Sequence, residues 1–290
     1  MKYKITAIIV TYNPDLKILK LIIDKLRIQG CSICVVNNSA FDLHEMDPEI
    51  KIINFRENKG IASAQNTGMS WAFDDNGSEF VLQMDQDSIP SDDLVASLFS
   101  AWESLKKQGL KAGLIGSQDI DRDTHISSEA KFNKGKKISG TSFVQVSEVL
   151  SSGSLIPRAT YQQVGGPDDK LFIDLVDFEY CWRIADKGLL IVKNPDSLIY
   201  HKLGEGQFKI LGFLNVGLPK PFRHYYSVRN TVYLIIFGKA PFYWKVSNTL
   251  KVLFKLTIYP IVLPQGKERF RFIWKGFSDG IYKRFQIINA

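Results

Sequence analysis

Short apolar runs alternate with helical stretches along the first 120 residues, and this alternation constrains the fold more than any other feature of the sequence. The apolar runs that we expect to form strands are Ile5–Val10, Ser32–Val36, Lys51–Asn54, Phe80–Met84 and Ala112–Ile115. The stretches whose apolar residues have helical spacing are Leu16–Ile28, Ile61–Phe73 and Leu94–Leu105. Strands that alternate with helices of roughly ten to fifteen residues predict a mainly parallel sheet with helices on both faces.

The alternation weakens after residue 120 and then resumes. Residues 121–150 are polar and rich in lysine, which predicts hairpins or a mobile loop. Further along the chain, Gly153–Ile156 and Leu189–Val192 are strand-like, and Phe178–Lys187 has the pattern of a helix. We therefore predict an α/β domain over residues 1–218 and a separate C-terminal helical region over residues 219–290.

The acidic segment Asp85-Gln86-Asp87 directly follows the strand-like run Phe80–Met84. Ligands of open α/β sheets bind at the carboxyl ends of the strands, where these two carboxylates would lie. Mg²⁺ and Mn²⁺ prefer oxygen ligands and often hold substrate phosphates with one or two protein carboxylates. The pattern is also typical of a turn, because Ser88, Ser91 and Asp92 are suitable caps for the following helix. Taken alone, it leaves both a metal site and a capping role open.

Polar loops follow the first three predicted strands, and we expect them at the same edge of the sheet. They are Thr11-Tyr12-Asn13-Pro14, Asn37-Asn38-Ser39 and the segment from Glu57 to Gly68. Short polar groups and accessible backbone at strand exits are what the binding of a base and a ribose requires. Asn, Gly and Pro are also ordinary turn residues, so turn formation alone explains each loop taken singly.

The positive charge of the chain is concentrated in its last part. Residues 231–290 carry ten Lys and Arg against two acidic residues, a net charge of +8, which leaves −1 for residues 1–230. The aromatic residues interleaved with these cations include Phe242, Tyr243, Trp244, Phe270 and Trp274. This composition is typical of interfacial helices on anionic lipid, and a helical hairpin packed on the core is the alternative. No apolar run reaches the roughly 18 residues of a membrane span, and no motif for nucleic-acid binding accompanies the charge.

The beginning of the chain and its cysteines favour a cytosolic location. The apolar run Ile5–Val10 is too short for the core of a signal peptide or for a membrane span. Cys31 and Cys34 form a C-x-x-C, but no second pair and no nearby His completes a zinc site. We therefore expect buried thiols at these two positions and at Cys181.

Several motifs together resemble those of the large family 2 of inverting glycosyltransferases, which have the GT-A fold. The resemblance covers roughly residues 4–230 and rests on Val10-Thr11-Tyr12-Asn13, Val35-Val36-Asn37-Asn38, Asn58 to Gly68, and Asp85-Gln86-Asp87-Ser88. The last two segments are similar to the rhamnosyltransferase branch, which uses dTDP-L-rhamnose to build bacterial surface polysaccharides. Where many relatives have Asp after the second strand, this chain has Asn37, whose amide oxygen can accept the N3–H of thymine or uracil.

The resemblance implies roles for the acidic residues. Asp177 corresponds to the general base that deprotonates the acceptor hydroxyl, although Val176 stands where relatives usually have Glu. Asp174 is a second candidate for the base, and a role of Asp177 as a mere helix cap is the alternative. Asp87, together with His201, would hold Mg²⁺ or Mn²⁺ on the donor diphosphate, and Asp85 would contact the metal or the ribose.

The resemblance also implies a set of residues that bind the nucleotide-sugar donor. Arg229, with Arg223 as a second candidate, is expected to neutralise charge on the departing diphosphate. Gly153 is expected to let donor and acceptor approach the backbone closely. The complete set is Thr11, Tyr12, Asn13, Asn37, Asn38, Asn58, Gly60, Gln65, Asp85, Gln86, Gly153 and Arg229.

We therefore predict a metal-dependent, inverting glycosyltransferase that moves L-rhamnose from dTDP-L-rhamnose to a lipid-linked saccharide at the inner face of the cell membrane. A UDP-hexose donor and a non-catalytic, membrane-associated scaffold of the same fold are the alternatives. A nucleotidyltransferase is disfavoured, because Thr11-Tyr12-Asn13-Pro14 is not the Gly-rich loop with Arg that would follow its first strand. The sequence does not indicate the oligomeric state.

Overall fold

The computed structural model describes residues 3–44, 47–124, 126–127, 135–201, 207–210, 214–217 and 219–288. The strands are β1 (Ile5–Thr11), β2 (Ser32–Asn37), β3 (Ile50–Asn54), β4 (Phe80–Asp85), β5 (Ile89–Pro90), β6 (Ala112–Asp121), β7 (Lys136–Lys137), β8 (Val144–Gln145), β9 (Ser154–Pro157), β10 (Leu190–His201), β11 (Gln207–Ile210) and β12 (Leu214–Gly217). The α-helices are α1 (Leu16–Ile28), α2 (Ile61–Ser70), α3 (Leu94–Lys107), α4 (Arg158–Val164), α5 (Val176–Asp186), α6 (Arg223–Phe237), α7 (Phe242–Thr257), α8 (Tyr259–Val262) and α9 (Gly266–Ile281).

Ten of the described strands form one mixed sheet in the order β3-β2-β1-β4-β9-β6-β10-β8-β7, with β5 paired to β10. The longer ladders are parallel: β3, β2, β1 and β4 run in one direction side by side, and β6 runs parallel to β10. β9 runs antiparallel between β4 and β6, so the start of β9 lies beside the end of β4. The predicted mainly parallel sheet is therefore confirmed, with one reversal near its centre.

Helices cover both faces of the sheet, as the alternation predicts. Leu19 of α1 and Leu98 of α3 are buried against one face, and Met69 of α2 and Ile184 of α5 against the other. Because strands between two helical layers are buried on both sides, they carry continuous apolar runs instead of alternating polar residues. The three cysteines are free and buried in this core, as expected.

Local signals set the helix ends. Helix α1 has the predicted bounds, because the Asp15 carboxylate accepts hydrogen bonds from the backbone N–H groups of Lys17 and Ile18 at 2.8 and 3.3 Å. The predicted helix Ile61–Phe73 is α2 followed by one π-helical turn over Trp71–Asp75. Within residues 121–150, β7 and β8 form a hairpin as predicted, whereas residues 125 and 128–134 lie outside the described part of the chain.

Strand β10 is longer than its apolar run, because it continues across an irregularity. Its register with β6 shifts between Lys193 and Leu198, where the sequence has the turn-like Asn194-Pro195-Asp196-Ser197. The Asn194 amide donates to the Ser197 hydroxyl at 2.8 Å and to the Ser97 hydroxyl at 3.1 Å, which fixes the irregular segment to α3. The strand then resumes and carries His201 to the same edge of the sheet as the end of β4.

The C-terminal helices pack on the α/β part of the chain and on one another. Trp244 of α7 meets Trp182 of α5 edge to face, with ring centroids 4.8 Å apart. Val228, Val252 and Ile273 form the centre of a separate apolar cluster among α6, α7 and α9. Within the described ranges, no helix is both long and apolar enough to span a membrane. The sequence analysis gave helices packed on the core as the alternative to helices on a lipid surface, and these contacts show such packing for part of the region. The domain boundary at residue 218 stays a prediction.

Candidate active site

The parallel register aligns the exits of four strands at one edge of the sheet. Thr11 at the end of β1 lies opposite Asn37 at the end of β2, and Asn37 lies opposite Asn54 at the end of β3. On the other side of β1, Val10 lies opposite Asp85, the last residue of β4. The loops that the sequence singled out therefore meet next to the acidic segment.

Asn37 is buried, and its amide is engaged within the protein. Its oxygen accepts hydrogen bonds from the Ser39 backbone N–H at 3.1 Å and from the Thr11 hydroxyl at 3.3 Å. Its nitrogen donates to the Phe41 carbonyl at 2.6 Å and to the Asn54 side-chain oxygen at 2.9 Å. These bonds occupy both lone pairs and both amide protons, which argues against the predicted contact between Asn37 and a pyrimidine base. The side chain instead joins the exits of three strands.

Asn38 fixes the loop that leads into α2. Its amide donates to the Gly60 carbonyl at 3.0 Å and accepts from the Lys59 backbone N–H at 2.8 Å. The exposed Asn58 accepts from the Gly60 N–H at 3.0 Å. Gly60 has a φ of +87°, and a Cβ there would lie 2.5 Å from the Phe172 carbonyl oxygen, so only glycine fits at this close approach.

Gln86 ties the acidic segment to the first loop. Its side-chain oxygen accepts from the Tyr12 backbone N–H at 2.6 Å, and its nitrogen donates to the Tyr12 carbonyl at 3.1 Å. The neighbouring Asn13, with a φ of +48°, donates its backbone N–H to the Ser39 hydroxyl at 2.8 Å. The Tyr12 side chain remains 51% exposed beside this fixed backbone.

Asp85 lies among other carboxylates. Burial raises the pKa of Asp85 to about 7, and the negative charges of Asp87, Asp177 and Asp119 contribute to the increase. The Asp85 backbone N–H donates to the Ser152 hydroxyl at 3.0 Å, which places the turn before β9 against the acidic segment. The structure therefore brings the predicted metal ligand Asp85 within electrostatic range both of Asp87 and of the predicted base Asp177.

Asp177 lies in the first turn of α5, where its carboxylate accepts the Phe178 backbone N–H at 2.9 Å. Burial raises the pKa of Asp177 to about 6, hydrogen bonds from the backbone oppose the increase, and the charges of Asp174 and Glu148 add to it. A carboxyl group with such a pKa is largely ionised at neutral pH and still basic enough to accept a proton.

Asp119 is a candidate that sequence reasoning missed. It is only 8% exposed, and its Oδ1 has no hydrogen-bond partner among the described residues. That atom lies 3.6 Å from Nδ1 of His201, and burial raises the pKa of Asp119 while His201 opposes the increase. The apolar run ends at Ile115, but β6 continues six residues further and carries Asp119 to the edge. The signal that could have revealed Asp119 was the possibility that the strand continues through the polar residues after the apolar run Ala112–Ile115.

The oxygen donors at this edge suit a hard divalent cation. Asp85 and Asp87 are one residue apart on a strand exit, and mutual repulsion of neighbouring carboxylates is what a cation would relieve. His201 lies on the strand next to them, since Tyr200 pairs with Ile89 just after the acidic segment. Among the described residues, no three His, Cys, Asp or Glu side chains form a complete metal cage. The set fits an ion held by one or two carboxylates together with substrate phosphates.

Arg229 does not occupy the predicted position on the diphosphate. The side chain is 1% exposed, and its guanidinium donates to the carbonyl groups of Lys170, Leu171 and Gln286 at 3.1, 2.8 and 3.1 Å. These contacts use the guanidinium inside the protein, which argues against the predicted contact between Arg229 and the diphosphate. Arg223 is more exposed and pairs with Asp174 at 2.7 Å.

Two further residues of the predicted donor set are buried. Gly153 has a φ of +74°, and a Cβ there would meet the Ser117 hydroxyl at 2.1 Å, so glycine is required by packing within the protein, while the approach of donor and acceptor to this backbone stays a prediction. The Gln65 side chain is buried in α2, and its oxygen has no hydrogen-bond partner within the described ranges.

Comparison with known proteins defines the class. The model of glycosyl transferase family 2 matches residues 6–164, more than half of the chain. The chain therefore belongs to glycosyl transferase family 2. It is 31% identical to the dTDP-rhamnosyl transferase RfbF of Shigella flexneri over 286 residues, which cover 95% of this chain and 93% of that protein. The chain is thus a rhamnosyltransferase-like member of the family, as the resemblance implies.

Solved structures show the same fold at low sequence identity. TarS of S. aureus has a TM-score of 0.61 and 13% identity, and the match covers 97% of this chain and 50% of TarS. TarS 1–349 in complex with UDP-GlcNAc has a TM-score of 0.60 and 14% identity, and the match covers 97% of this chain and 82% of the fragment. GalNAc-T7 with UDP, GalNAc and Mn²⁺ has a TM-score of 0.58 and 14% identity, with coverage of 98% and 58%. These likenesses confirm the GT-A fold.

The raised pKa of Asp177 predicts that Asp177→Asn stabilises the protein more at pH 8 than at pH 4. Between the unfolded value near 3.9 and the folded value of about 6, the folded state holds more protons, so the free energy of unfolding falls as pH rises. Asparagine removes this loss of stability. We expect the gain in unfolding free energy caused by Asp177→Asn to be about 1–3 kcal/mol larger at pH 8 than at pH 4. Urea unfolding with EDTA measures it.

The matched control is Asp174→Asn, because Asp174 pairs with Arg223 and its loss offers no such gain. An equal effect of Asp177→Asn at both pH values would show that the Asp177 carboxyl group is not destabilised by its surroundings.

Proposed function

We propose that the protein transfers L-rhamnose from dTDP-L-rhamnose to a hydroxyl group of a lipid-linked saccharide, with inversion at the anomeric carbon. The observation that carries the proposal is the convergence of Asp85 and Asp177, from distant parts of the chain, at one edge of the sheet. The identity of 31% with a dTDP-rhamnosyl transferase, over nearly the whole of both chains, supports the donor.

A single displacement requires one base on the face opposite the leaving group. In the proposed step, the acceptor oxygen attacks the anomeric carbon and passes its proton to the Asp177 carboxylate. The bond between that carbon and the diphosphate oxygen breaks, and dTDP leaves with the electron pair. A pKa of about 6 keeps Asp177 ionised at neutral pH, ready to accept this proton.

Asp87 and Asp85, assisted by His201, are the residues that would hold Mg²⁺ or Mn²⁺. When bound, the ion neutralises charge on the departing diphosphate. Gln86 bonds to both the N–H and the carbonyl of Tyr12, so this backbone is fixed at the strand exit, and the exposed Tyr12 ring is available there to stack on the thymine. The base is therefore recognised by this loop instead of by the amide of Asn37.

The two alternatives have less support. A UDP-hexose donor is suggested by the TarS complex with UDP-GlcNAc, but that likeness has only 14% identity and concerns the fold. A non-catalytic scaffold would have no need to keep the Asp85 carboxylate within range of the charges of Asp87 and Asp177 at the cost of desolvating Asp85.

The protein acts at the cytoplasmic face of the membrane, where the exposed face of α7 lies on the lipid. Phe242, Val246, Leu250 and Leu253 recur at helical spacing and form one apolar stripe. Phe242 is 82% exposed and Leu250 is 64% exposed. Helix α9 exposes the aromatic side chains of Phe270 and Trp274.

The positive charge near these exposed apolar side chains favours an anionic lipid surface as their binding partner. The exposed cations of α9, Lys267 and Arg271, are interleaved with Phe270 and Trp274 on one side of the helix. Lys and Arg beside aromatic residues match the headgroup region of an anionic bilayer. A lipid-linked acceptor would be presented at that same surface.

With Mn²⁺ present, dTDP-L-rhamnose is expected to raise the unfolding temperature more than UDP-glucose or UDP-N-acetylglucosamine does. A ligand that binds only the native state stabilises it, by about 2.7 kcal/mol at roughly 100 times its Kd. A thermal-shift screen of the donors, repeated with EDTA, measures donor preference and metal dependence together. A larger temperature shift with a UDP-hexose would contradict dTDP-L-rhamnose as the donor. Equal shifts with and without EDTA would show that donor binding does not need a metal ion.

Asp177→Asn is expected to lower the turnover of rhamnose transfer by about 10²–10⁴-fold, because general base catalysis is lost. The affinity for dTDP should change little, since the strand exits of β1 to β4 are untouched. Turnover is measured by release of dTDP in the presence of acceptor, and affinity by calorimetry. Asp174→Asn is the control, and loss of transfer in that variant alone would make Asp174 the base.

Vesicles rich in phosphatidylglycerol are expected to bind the protein, and Leu250→Glu should weaken binding by about tenfold or more, since burial of one Leu is worth about 1.5–3 kcal/mol. Co-sedimentation with anionic and neutral vesicles measures the effect. Ile28→Glu is the control, because Ile28 of α1 is 86% exposed and lies outside the stripe. Equal binding of both variants would contradict the assignment. A dimer that Leu250→Glu dissociates would instead identify a second copy as the occupant.

A further inference from the structure

The segment before the predicted base has an unusual backbone. Phe172, Asp174 and Leu175 have φ angles of +64°, +67° and +64°, the left-handed region that non-glycine residues rarely adopt. Such a backbone conformation is unfavourable and persists only when its surroundings hold it. Asp177 follows two residues later, in the first turn of α5. The position of its carboxylate therefore depends on what holds this segment.

Asn230 of α6 contacts the segment directly. Its buried amide nitrogen lies 2.9, 2.7 and 2.8 Å from the carbonyl oxygens of Leu171, Ile173 and Asp174. Three carbonyl groups thus converge on the two protons of one amide, and they include residues on both sides of the first left-handed turn. An amide is well suited to this task, because it donates twice without adding charge.

Arg229 extends the same contact. Its guanidinium reaches the carbonyl groups of Lys170 and Leu171, and its Nε donates to the Asn230 side-chain oxygen at 2.9 Å. Tyr225, Tyr226 and Phe285 surround the guanidinium, at 5.3, 5.0 and 5.4 Å from the ring centroids. The cation is therefore fixed in an aromatic cage, and it orients the Asn230 amide toward the segment.

The other side of the segment is attached to the loop before α2. The Phe172 carbonyl accepts the Ile61 backbone N–H at 2.7 Å, and the Phe172 ring stacks on Tyr226 with centroids 4.9 Å apart. The strained turn is thus held between the donor-side loop and α6.

We infer that Asn230 and Arg229 are positioning residues, which hold residues 170–174 so that the strained turn sets the Asp177 carboxylate for proton transfer. The inference rests on the proposed role of Asp177 as the base. Both side chains are buried within the protein. Release of the carbonyl groups lets the turn relax toward ordinary φ angles, and a displacement of a catalytic group by about 1 Å can lower the rate by about 10²-fold.

Asn230→Ala is expected to lower kcat for rhamnose transfer by about 10²-fold while the KM for dTDP-L-rhamnose changes by less than about threefold. Hydrogen exchange in peptides that cover residues 170–177 should become faster in the same variant. Thr231→Val is the matched control, because Thr231 is buried on the same helix and its hydroxyl donates to the Ser227 carbonyl of that helix, away from residues 170–174. It should leave both readouts unchanged.

Arg229→Lys provides a second, milder variant in case Asn230→Ala fails to fold. Lysine keeps the cation in the aromatic cage but loses the planar fork, so we expect a smaller fall in kcat and faster exchange in the same peptides. Wild-type kcat and wild-type exchange in the folded variants would overturn the inference.

Failure of the proposed function would look different. If the wild-type protein transfers no sugar, or if Asp177→Asn keeps its turnover, the proposed function fails. Amide hydrogen exchange alone then tests whether Asn230 holds residues 170–174. Faster exchange confined to residues 170–177 in Asn230→Ala then still shows that Asn230 holds this segment, and unchanged exchange overturns that role.

Discussion

The fold holds several carboxylates together where water is largely excluded, and the rest of the site depends on how that unfavourable arrangement is maintained. Asp85 and Asp177 both have raised pKa values because burial penalises their charged forms. Nothing in their local sequence favours this proximity. It is imposed by the parallel register of β1 and β4 and by the packing of α5, whose stability comes from apolar residues on both faces of the sheet.

Most of the catalytic fold was predictable, because buried parallel strands and amphipathic helices leave strong periodic signals. Helix α1 has the predicted bounds, since cap and apolar spacing agree there. The strands β6 and β10 were harder, because each continues through polar residues. The bulge at Asn194 to Ser197 contains Pro and Asp, which are typical turn residues, and contacts such as those with Ser97 on α3 keep it within a strand. Such contacts join residues far apart in sequence and leave no local pattern.

The site was predictable in outline and not in its side-chain roles. Strand exits gave the place of Asp85 and the polar loops correctly, because a parallel sheet fixes where exits lie. Asn37 and Arg229 were assigned to ligand contacts because their residue types suit a base and a phosphate. The structure shows both engaged with backbone and neighbouring side chains instead. Asp119 was overlooked for the opposite reason, since a single carboxylate carries no motif.

The contacts of α6 also have a consequence for the order in which the protein is completed during synthesis. The donor-side loops lie within the first 90 residues, whereas the segment that presents Asp177 is held by residues 229 and 230. The guanidinium of Arg229 is itself secured by the carbonyl of Gln286, beyond the last helix. Because chains fold progressively from the amino terminus as they leave the ribosome, a nascent protein would acquire the strand exits of the proposed nucleotide site long before the segment of Asp177 is fixed. The proposed site would therefore be complete only once the chain has emerged as far as Gln286 and docked.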